Sequence, residues 1–209
     1  MKQDLDLALR LTLVASRREA APRSLVELAG LAFDGGATAL QLREKDCGDR
    51  VFYQQALELR RLCRDRGKLF IINDRLDLAL AVEADGLHLG QTDLPAEAAA
   101  RLMPKSMVLG VSVRSEAEAR AALAAGADYL GVGAVFPTGS KAEAAVIDRD
   151  DLKAVLALNA PSVAIGGLTA ANAAEAWSLG FTGLAVISAL TGATDPAQAA
   201  AALLSAGPG

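Results

Sequence analysis

Residues 126–135 read GADYLGVGAV, and the first five letters of this stretch have close copies elsewhere in the chain. The form Gly-x-(Thr or Asp)-x-Leu returns in GATAL (36–40) and GFTGL (180–184), and EADGL (83–87) departs from it in its first residue. Each copy leads into a short apolar segment, at the place where a helix would turn into a strand. Four similar helix-to-strand turns predict a chain built from repeated strand–helix units.

Eight short apolar segments fit this plan. They are apolar almost without interruption, which is typical of strands buried on both faces of a parallel sheet. The segments are LTLVAS (11–16), ALQLRE (39–44), LFIIND (69–74), GLHLG (86–90), VLGVSV (108–113), YLGVGAV (129–135), SVAIGG (162–167) and GLAVIS (183–188).

Helices are predicted between the strands. Ser24 and Ser115 each stand three residues before a glutamate, the signature of a capping box. Thr169 is a predicted N-cap, and Asp195 followed by Pro196 predicts the start of the last helix.

Eight strands alternating with helices in about 200 residues predict an α/β fold, a single (β/α)8 TIM barrel. One domain would span residues 1–209, with residues 1–10 a short N-terminal extension or helix. An open doubly wound sheet is the alternative. It fits less well because no GxGxxG turn follows the first strand.

Composition excludes several classes of protein. The net charge of −4 gives no overall field for nucleic acid, and two cysteines with one histidine predict neither a disulfide framework nor a zinc site. Acidic residues interrupt the N-terminal apolar run, and no segment reaches the roughly 18 apolar residues of a membrane helix. We therefore expect a cytoplasmic protein that binds neither membranes nor nucleic acid. The sequence does not decide the oligomeric state, and a homo-oligomer is one of the open alternatives.

Polar residues collect where the predicted strands end, and the strand beginnings have no comparable set. Catalytic groups of a (β/α)8 barrel lie at the carboxyl ends of its strands, so this asymmetry predicts one functional face. The residues concerned are Arg43, Lys45, Asn73, Asp74, Gln91, Asp93, Ser112, Thr138, Ser140, Lys141, Gly166, Gly167 and Ser188.

The residue types at this face suggest phosphate and metal ligands. Arg43, Lys45 and Lys141 are three cations predicted to converge on one mouth. Gly166-Gly167 and Ser188 match the phosphate site formed by the loops after strands 7 and 8. Asp74 and Asp93, on neighbouring strands, are the kind of carboxylate pair that holds Mg²⁺ together with phosphate oxygens. A diphosphate and a separate phosphate would use all of these groups.

Several motifs then resemble one family, the thiamine phosphate synthases. The similarity runs from about residue 39 to 190. The motifs are QLREK (41–45), INDRLDLALAVEADGLHLGQTDLP (72–95), GVSV (110–113), GADYLGVGAVFPTGSK (126–141), AIGGLTAAN (164–172) and GLAVISAL (183–190).

The resemblance implies that hydroxymethylpyrimidine diphosphate loses pyrophosphate and that the nitrogen of a thiazole phosphate takes its place. A pyrimidine-stabilised carbocation would form early, and Mg²⁺ would be the cofactor. By motif, Asp74 and Asp93 are expected to hold Mg²⁺. The residues expected at the pyrimidine diphosphate are Gln41, Arg43, Lys45, Asn73, Ser112 and Lys141, and of these Arg43, Lys45, Ser112 and Lys141 are expected to be catalytic. Those expected at the thiazole phosphate are Thr138, Ser140, Gly167, Ile187 and Ser188.

Departures from the family pattern keep several hypotheses open. Ser16 and Arg17 end the first strand where the family usually has Thr-Asp, and Ser140 stands where it commonly has Thr. A related thiazole tautomerase would use a histidine where this chain has Arg114, which favours the synthase. A phosphate-sugar isomerase or aldolase with Lys45 as a Schiff base is a third hypothesis, and a phosphate-binding regulator without catalysis is a fourth.

Some of these residues also carry simpler structural predictions. His88, inside the fourth strand, is predicted to be an interior histidine with hydrogen-bond partners. Asp93 could instead cap the helix that follows it. Strand alternation places Gln41, Arg43 and Lys45 on the inward face, while the partner of Glu44 stays unnamed.

Overall fold

The computed structural model describes residues 5–138 and 145–208 of the chain. Within these ranges eight parallel strands close into a barrel, each paired with its neighbours in chain order and the last with the first. The predicted (β/α)8 barrel is therefore confirmed. Its strands are β1 Leu11–Ala15, β2 Ala39–Leu42, β3 Leu69–Asn73, β4 Gly86–Leu89, β5 Val108–Val113, β6 Tyr129–Gly133, β7 Ser162–Ile165 and β8 Gly183–Val186.

Every strand begins at the predicted residue, and all except β5 end one or two residues before the predicted end. The difference has a local cause at the carboxyl ends. Asp74, Gly166 and Gly167 follow β3 and β7 with φ angles of 64°, 96° and 66°. This left-handed backbone is not compatible with a strand, so the chain leaves the sheet and turns into the loops.

Helices surround the barrel. Ser24, Ser115 and Asp195 are N-caps, as predicted, and each accepts the backbone N–H of the residue three positions later. The glutamate half of the predicted capping boxes is not found at Ser24 or Ser115, and the Glu118 side chain instead accepts the Arg114 N–H. The prediction that Thr169 is an N-cap was wrong. The helix begins at Ala173, and Asn172 occupies the N-cap position. The helices are α1 Leu5–Ala8, α2 Arg17–Ala20, α3 Leu25–Asp34, α4 Asp49–Asp65, α5 Leu76–Ala81, α6 Ala96–Leu102, α7 Glu116–Ala124, α8 Arg149–Leu156, α9 Ala173–Ser178, α10 Ser188–Thr191 and α11 Pro196–Ser205.

The repeated five-residue motif has a structural role at the amino-terminal end of the barrel. Its Thr or Asp accepts a backbone N–H at the start of the preceding odd-numbered strand, and its own N–H donates to the carbonyl of that same residue. The pairs are Thr38 with Leu11, Asp85 with Phe70, Asp128 with Leu109 and Thr182 with Ser162. Each copy therefore joins an even strand to the strand before it.

Strand alternation separates two apolar cores. Outward residues such as Leu40 and Leu42 pack beneath the helices. Inward residues such as Ile71 and Val163 fill the barrel, and Leu5 of α1 packs against them. Among the described residues, no helix has the length and apolar character needed to span a membrane.

Candidate active site

The β2 strand brings a polar ladder into the mouth of the barrel. Gln41 is 5% exposed and lines a cavity inside the barrel together with Thr12 and Tyr129. Arg43 follows the strand and is half-buried, and Lys45 reaches Asp74 with 3.6 Å between Nζ and Oδ2. Two cations thus stand beside the carboxylates of the neighbouring strands.

Glu44 turns away from this ladder. Its Oε2 accepts the backbone N–H of Arg17 at 2.9 Å, which supplies the partner that the sequence did not name. Ser16 caps the same short helix, α2, in a complete capping box with Glu19. The unusual end of β1 is therefore a helix start, held to the loop after β2 by Glu44.

Asp74 and Asp93 lie together at the ends of β3 and β4, within hydrogen-bonding reach of each other. Asp74 immediately follows β3, and its backbone N–H donates to the His88 carbonyl at 2.8 Å. Asn73, the last residue of β3, is paired with His88 in the sheet. Adjacent parallel strands thus deliver both carboxyl groups to one place, as predicted.

The surroundings of Asp74 disfavour its charge. Burial, followed by the hydrogen bond and the negative charge of Asp93, raises the pKa of the Asp74 carboxyl to about 6. Lys45 and Arg43 act in the opposite direction. A pair of crowded carboxylates that local cations do not fully compensate is an arrangement that favours binding of a further cation.

Asp93 does not cap the helix that follows it. Pro95 occupies the N-cap position of α6, and Asp93 Oδ2 instead accepts the Gly90 N–H at 2.6 Å. A Cβ atom at Gly90 would lie 2.9 Å from that oxygen, so a glycine lets the carboxylate approach. The loop after β4 is therefore folded to hold Asp93 at the mouth.

Ser112 lies near the end of β5 and is half-buried. Its Oγ is 2.8 Å from Nε2 of His88, and its carbonyl accepts the side-chain amide of Gln91 at 2.7 Å. His88 Nδ1 lies 2.9 Å from the Tyr129 hydroxyl. The prediction that His88 is an interior histidine with partners is confirmed.

Sequence reasoning missed Tyr129. Its ring is buried inside the barrel, and burial raises its pKa. The signal was present in the sequence, because alternation in YLGVG places Tyr129, Gly131 and Gly133 on one face, and a lone tyrosine among inward glycines has room to cross the barrel.

The loops after β6 and β7 are in direct contact. A Cβ atom at Gly167 would lie 2.4 Å from the Pro137 carbonyl oxygen, and one at Gly166 would lie 2.6 Å from Ala134 Cβ. Because both glycines also have positive φ, this approach requires glycine at both positions. Asn172 supports the turn by donating to the Gly167 carbonyl at 2.9 Å.

The predicted thiazole phosphate residues are placed in part. Thr138 follows Pro137 in the loop after β6. Ile187 follows β8 and packs against the inner core, and Ser188 is the exposed first residue of α10. Ser140 and Lys141 lie outside the described residues.

Comparisons with known proteins identify the family and the fold. The family described as thiamine monophosphate synthase matches residues 11–190. A thiamine-phosphate synthase of Moorella thermoacetica is 51% identical over 85% of this chain and 86% of its own, and one of Coprothermobacter proteolyticus is 45% identical over 97% and 96%. The structure of a thiamine phosphate pyrophosphorylase from Pyrococcus furiosus superposes with a TM-score of 0.88 at 41% identity, covering 97% of this chain and 96% of that one.

Proposed function

The chain belongs to the thiamine monophosphate synthase family of transferases, and from this premise we propose a Mg²⁺-dependent reaction. Hydroxymethylpyrimidine diphosphate and thiazole phosphate would give thiamine phosphate and pyrophosphate. The observation that carries the proposal is the Asp74–Asp93 pair beside Lys45 at the barrel mouth.

The donor set fits Mg²⁺. Two carboxylates within hydrogen-bonding reach present hard oxygen ligands, and burial makes their joint negative charge unfavourable without a cation. Within the described residues, no group of three His, Cys, Asp or Glu side chains could form an all-protein metal cage. Mg²⁺ is usually held by one or two carboxylates together with substrate phosphates and water, so Asp74 and Asp93 suffice as its protein ligands.

The leaving group sets the electrostatic demand on the site. As the bond between the pyrimidine methylene carbon and the diphosphate oxygen breaks, negative charge accumulates on the pyrophosphate. Arg43 and Lys45 stand beside the carboxylate pair and would stabilise that charge, with Lys141 as a third cation. Mg²⁺, when bound, supplies Lewis-acid stabilisation of the same charge.

The pyrimidine carbocation that remains after pyrophosphate leaves needs an enclosed pocket. Gln41 of β2 lines the cavity inside the barrel, Ser112 of β5 lies nearer the mouth, and both would orient the pyrimidine ring. Asn73 would contact the same substrate from the end of β3. Enclosure keeps water from capturing the cation before the thiazole nitrogen reaches it.

The thiazole phosphate would bind at the loops after β6, β7 and β8. The glycine turn at Gly167 exposes backbone next to the Pro137 loop, which supports an oxyanion site there. Thr138, Ser140, Ile187 and Ser188 would complete the site. Because the thiazole nitrogen is itself the nucleophile, the reaction needs little acid–base catalysis, in agreement with a single histidine engaged in interior hydrogen bonds.

The direct test combines the purified protein with both substrates and Mg²⁺, and measures thiamine phosphate and pyrophosphate. We expect both products in equal amounts, and none after chelation of the metal. A protein that yields no product while a verified synthase does so under the same conditions would overturn the proposal. Trapping of a carbonyl substrate on Lys45 by borohydride would support an aldolase instead.

A further inference from the structure

A chain of hydrogen bonds runs from the barrel interior to its mouth. The Tyr129 hydroxyl lies 2.9 Å from His88 Nδ1, and His88 Nε2 lies 2.8 Å from Ser112 Oγ. Tyr129 and His88 are 3% and 7% exposed, whereas Ser112 is half-buried at the mouth. The three residues belong to β6, β4 and β5, so the series of hydrogen bonds crosses three strands and reaches the predicted substrate pocket.

Two glycines make room for the side chains of Tyr129 and His88. Gly110 and Gly131 occupy inward positions of β5 and β6. A Cβ atom at Gly110 would lie 2.1 Å from the Tyr129 ring, and one at Gly131 would lie 2.8 Å from Cε1 of His88. The interior therefore lacks side chains where the two rings cross, and packing fixes both rings.

The donor and the acceptor of each hydrogen bond can be assigned by counting the protons that the Tyr129 hydroxyl and the His88 ring carry. A neutral imidazole has one donor and one acceptor nitrogen. Within the described residues, His88 Nδ1 is the hydrogen-bond partner found for the Tyr129 hydroxyl. The buried phenol proton needs an acceptor, so Tyr129 donates to Nδ1. His88 then carries its proton on Nε2 and donates to Ser112 Oγ. The opposite tautomer would leave the phenol proton buried without an acceptor, which is unfavourable.

From this directionality we propose that His88 and Tyr129 are positioning residues that hold the Ser112 hydroxyl as a hydrogen-bond donor into the barrel mouth. One Ser112 lone pair accepts from His88, so its own O–H turns toward the pocket. The acceptor would be a ring nitrogen or a diphosphate oxygen of the pyrimidine substrate, and this identification rests on the proposed function.

The tautomer can be measured without catalysis. The chain contains one histidine, so ¹⁵N-histidine labelling gives the NMR signals of His88 alone. We expect long-range ¹H–¹⁵N correlations in which Nε2 carries the proton and Nδ1 does not. Tyr129→Phe should disturb this pattern because it removes the donor to Nδ1. A proton found on Nδ1 in the unsubstituted protein would overturn the inference, even if the protein makes thiamine phosphate.

Kinetics test the link from His88 to Ser112. We expect His88→Leu and Ser112→Ala each to lower kcat/KM for the pyrimidine diphosphate about tenfold, with the KM for thiazole phosphate unchanged. His88→Gln, which can still donate an N–H toward Ser112, should retain more activity than His88→Leu. In the Ser112→Ala background the His88→Leu change should add less than about twofold, because the hydroxyl on which it acts is absent.

Thr12→Val is the matched control, since Thr12 lines the same cavity and its hydroxyl has no hydrogen-bond partner among the described residues. It should leave both KM values unchanged. Independent, multiplying effects of the His88 and Ser112 substitutions would overturn the positioning role. If His88→Leu does not fold, the NMR measurement on the unsubstituted protein still tests the His88 tautomer on which the proposal depends.

Discussion

The side chain of Asp128 accepts a hydrogen bond from the backbone N–H of Leu109, with 2.9 Å between Oδ2 and the nitrogen. Thr38, Asp85 and Thr182 make the same contact with the other odd-numbered strands. All four lie at the amino-terminal end of the barrel, opposite the candidate active site. The repeated motif therefore serves the closure of the barrel, and its loss should affect stability more than activity.

Thr182→Val tests this separation. The substitution keeps the side-chain shape but removes the acceptor for the N–H of Ser162, a residue that is 4% exposed. We expect the free energy of unfolding to fall by about 1–2 kcal/mol, measured by urea denaturation, with kcat/KM unchanged.

Thr12→Val provides the comparison for that experiment. Its hydroxyl is buried without a hydrogen bond in the described part of the chain, so its removal should leave stability equal or higher. Equal losses in the two variants would contradict the assignment of stability to the Thr182 contact.

Gly167→Ala should impair the glycine turn after β7. The added Cβ atom would lie 2.4 Å from the Pro137 carbonyl oxygen, so the two loops must separate. We expect the KM for thiazole phosphate to rise about tenfold or more, with a much smaller change for the pyrimidine diphosphate.

Gly67→Ala is the matched control for backbone strain. Gly67 has φ 62°, close to the 66° of Gly167, but a Cβ atom there meets no atom within 4 Å. It should cost about 1 kcal/mol of stability and leave both KM values as they are. A similar rise in KM in both variants would mean that strain, and not the loop contact, is responsible.

The fold was predictable because its signals are local. Each strand begins at the predicted residue, because a run of apolar residues is recognised within a few positions, and the repeated turn motif marks the start of the even-numbered strands. Thr169 failed as a cap for an equally local reason. Its backbone N–H donates to Asn172 Oδ1 at 2.8 Å, so one more turn of chain precedes α9.

The site was predictable only in outline. Strand ends identified Asp74 and Asp93 as neighbours, because parallel strands deliver consecutive loops to one edge. The partner of Glu44 and the role of Tyr129 depend on contacts between residues 27 and 41 positions apart. Such contacts depend on the register in which the strands pair, and local sequence patterns do not determine that register.

Asp93→Asn should separate the charge of this residue from its structural contact. The amide keeps an oxygen for the Gly90 N–H but removes the negative charge. We expect kcat to fall on the order of 100-fold, with partial recovery at high Mg²⁺ concentration, and stability to change little. Asp93→Ala should lose both activity and about 1 kcal/mol of stability. Unchanged turnover in Asp93→Asn would show that Asp93 only holds the loop.

Asp74→Asn should stabilise the protein at neutral pH while it abolishes activity. The pKa of Asp74 is raised to about 6 from 3.8, chiefly by burial, so the folded state binds this proton more tightly than the unfolded state does. Its contribution to stability is therefore complete below about pH 4 and is lost as the pH rises through 6. Removing the carboxylate should raise the free energy of unfolding at pH 7 by on the order of 1–2 kcal/mol, with no gain at pH 4.

Mg²⁺ gives the same experiment a second readout. In the unsubstituted protein the ion should raise the melting temperature, because it binds the folded state through the carboxylate pair, whereas Asp74→Asn should show little response. Asp46→Asn, which alters a mouth carboxylate that is 75% exposed, is the control and should respond to the ion as the unsubstituted protein does. Loss of stability in Asp74→Asn at pH 7 would contradict the argument, because it would mean that the cations Lys45 and Arg43 outweigh burial and repulsion at this carboxylate.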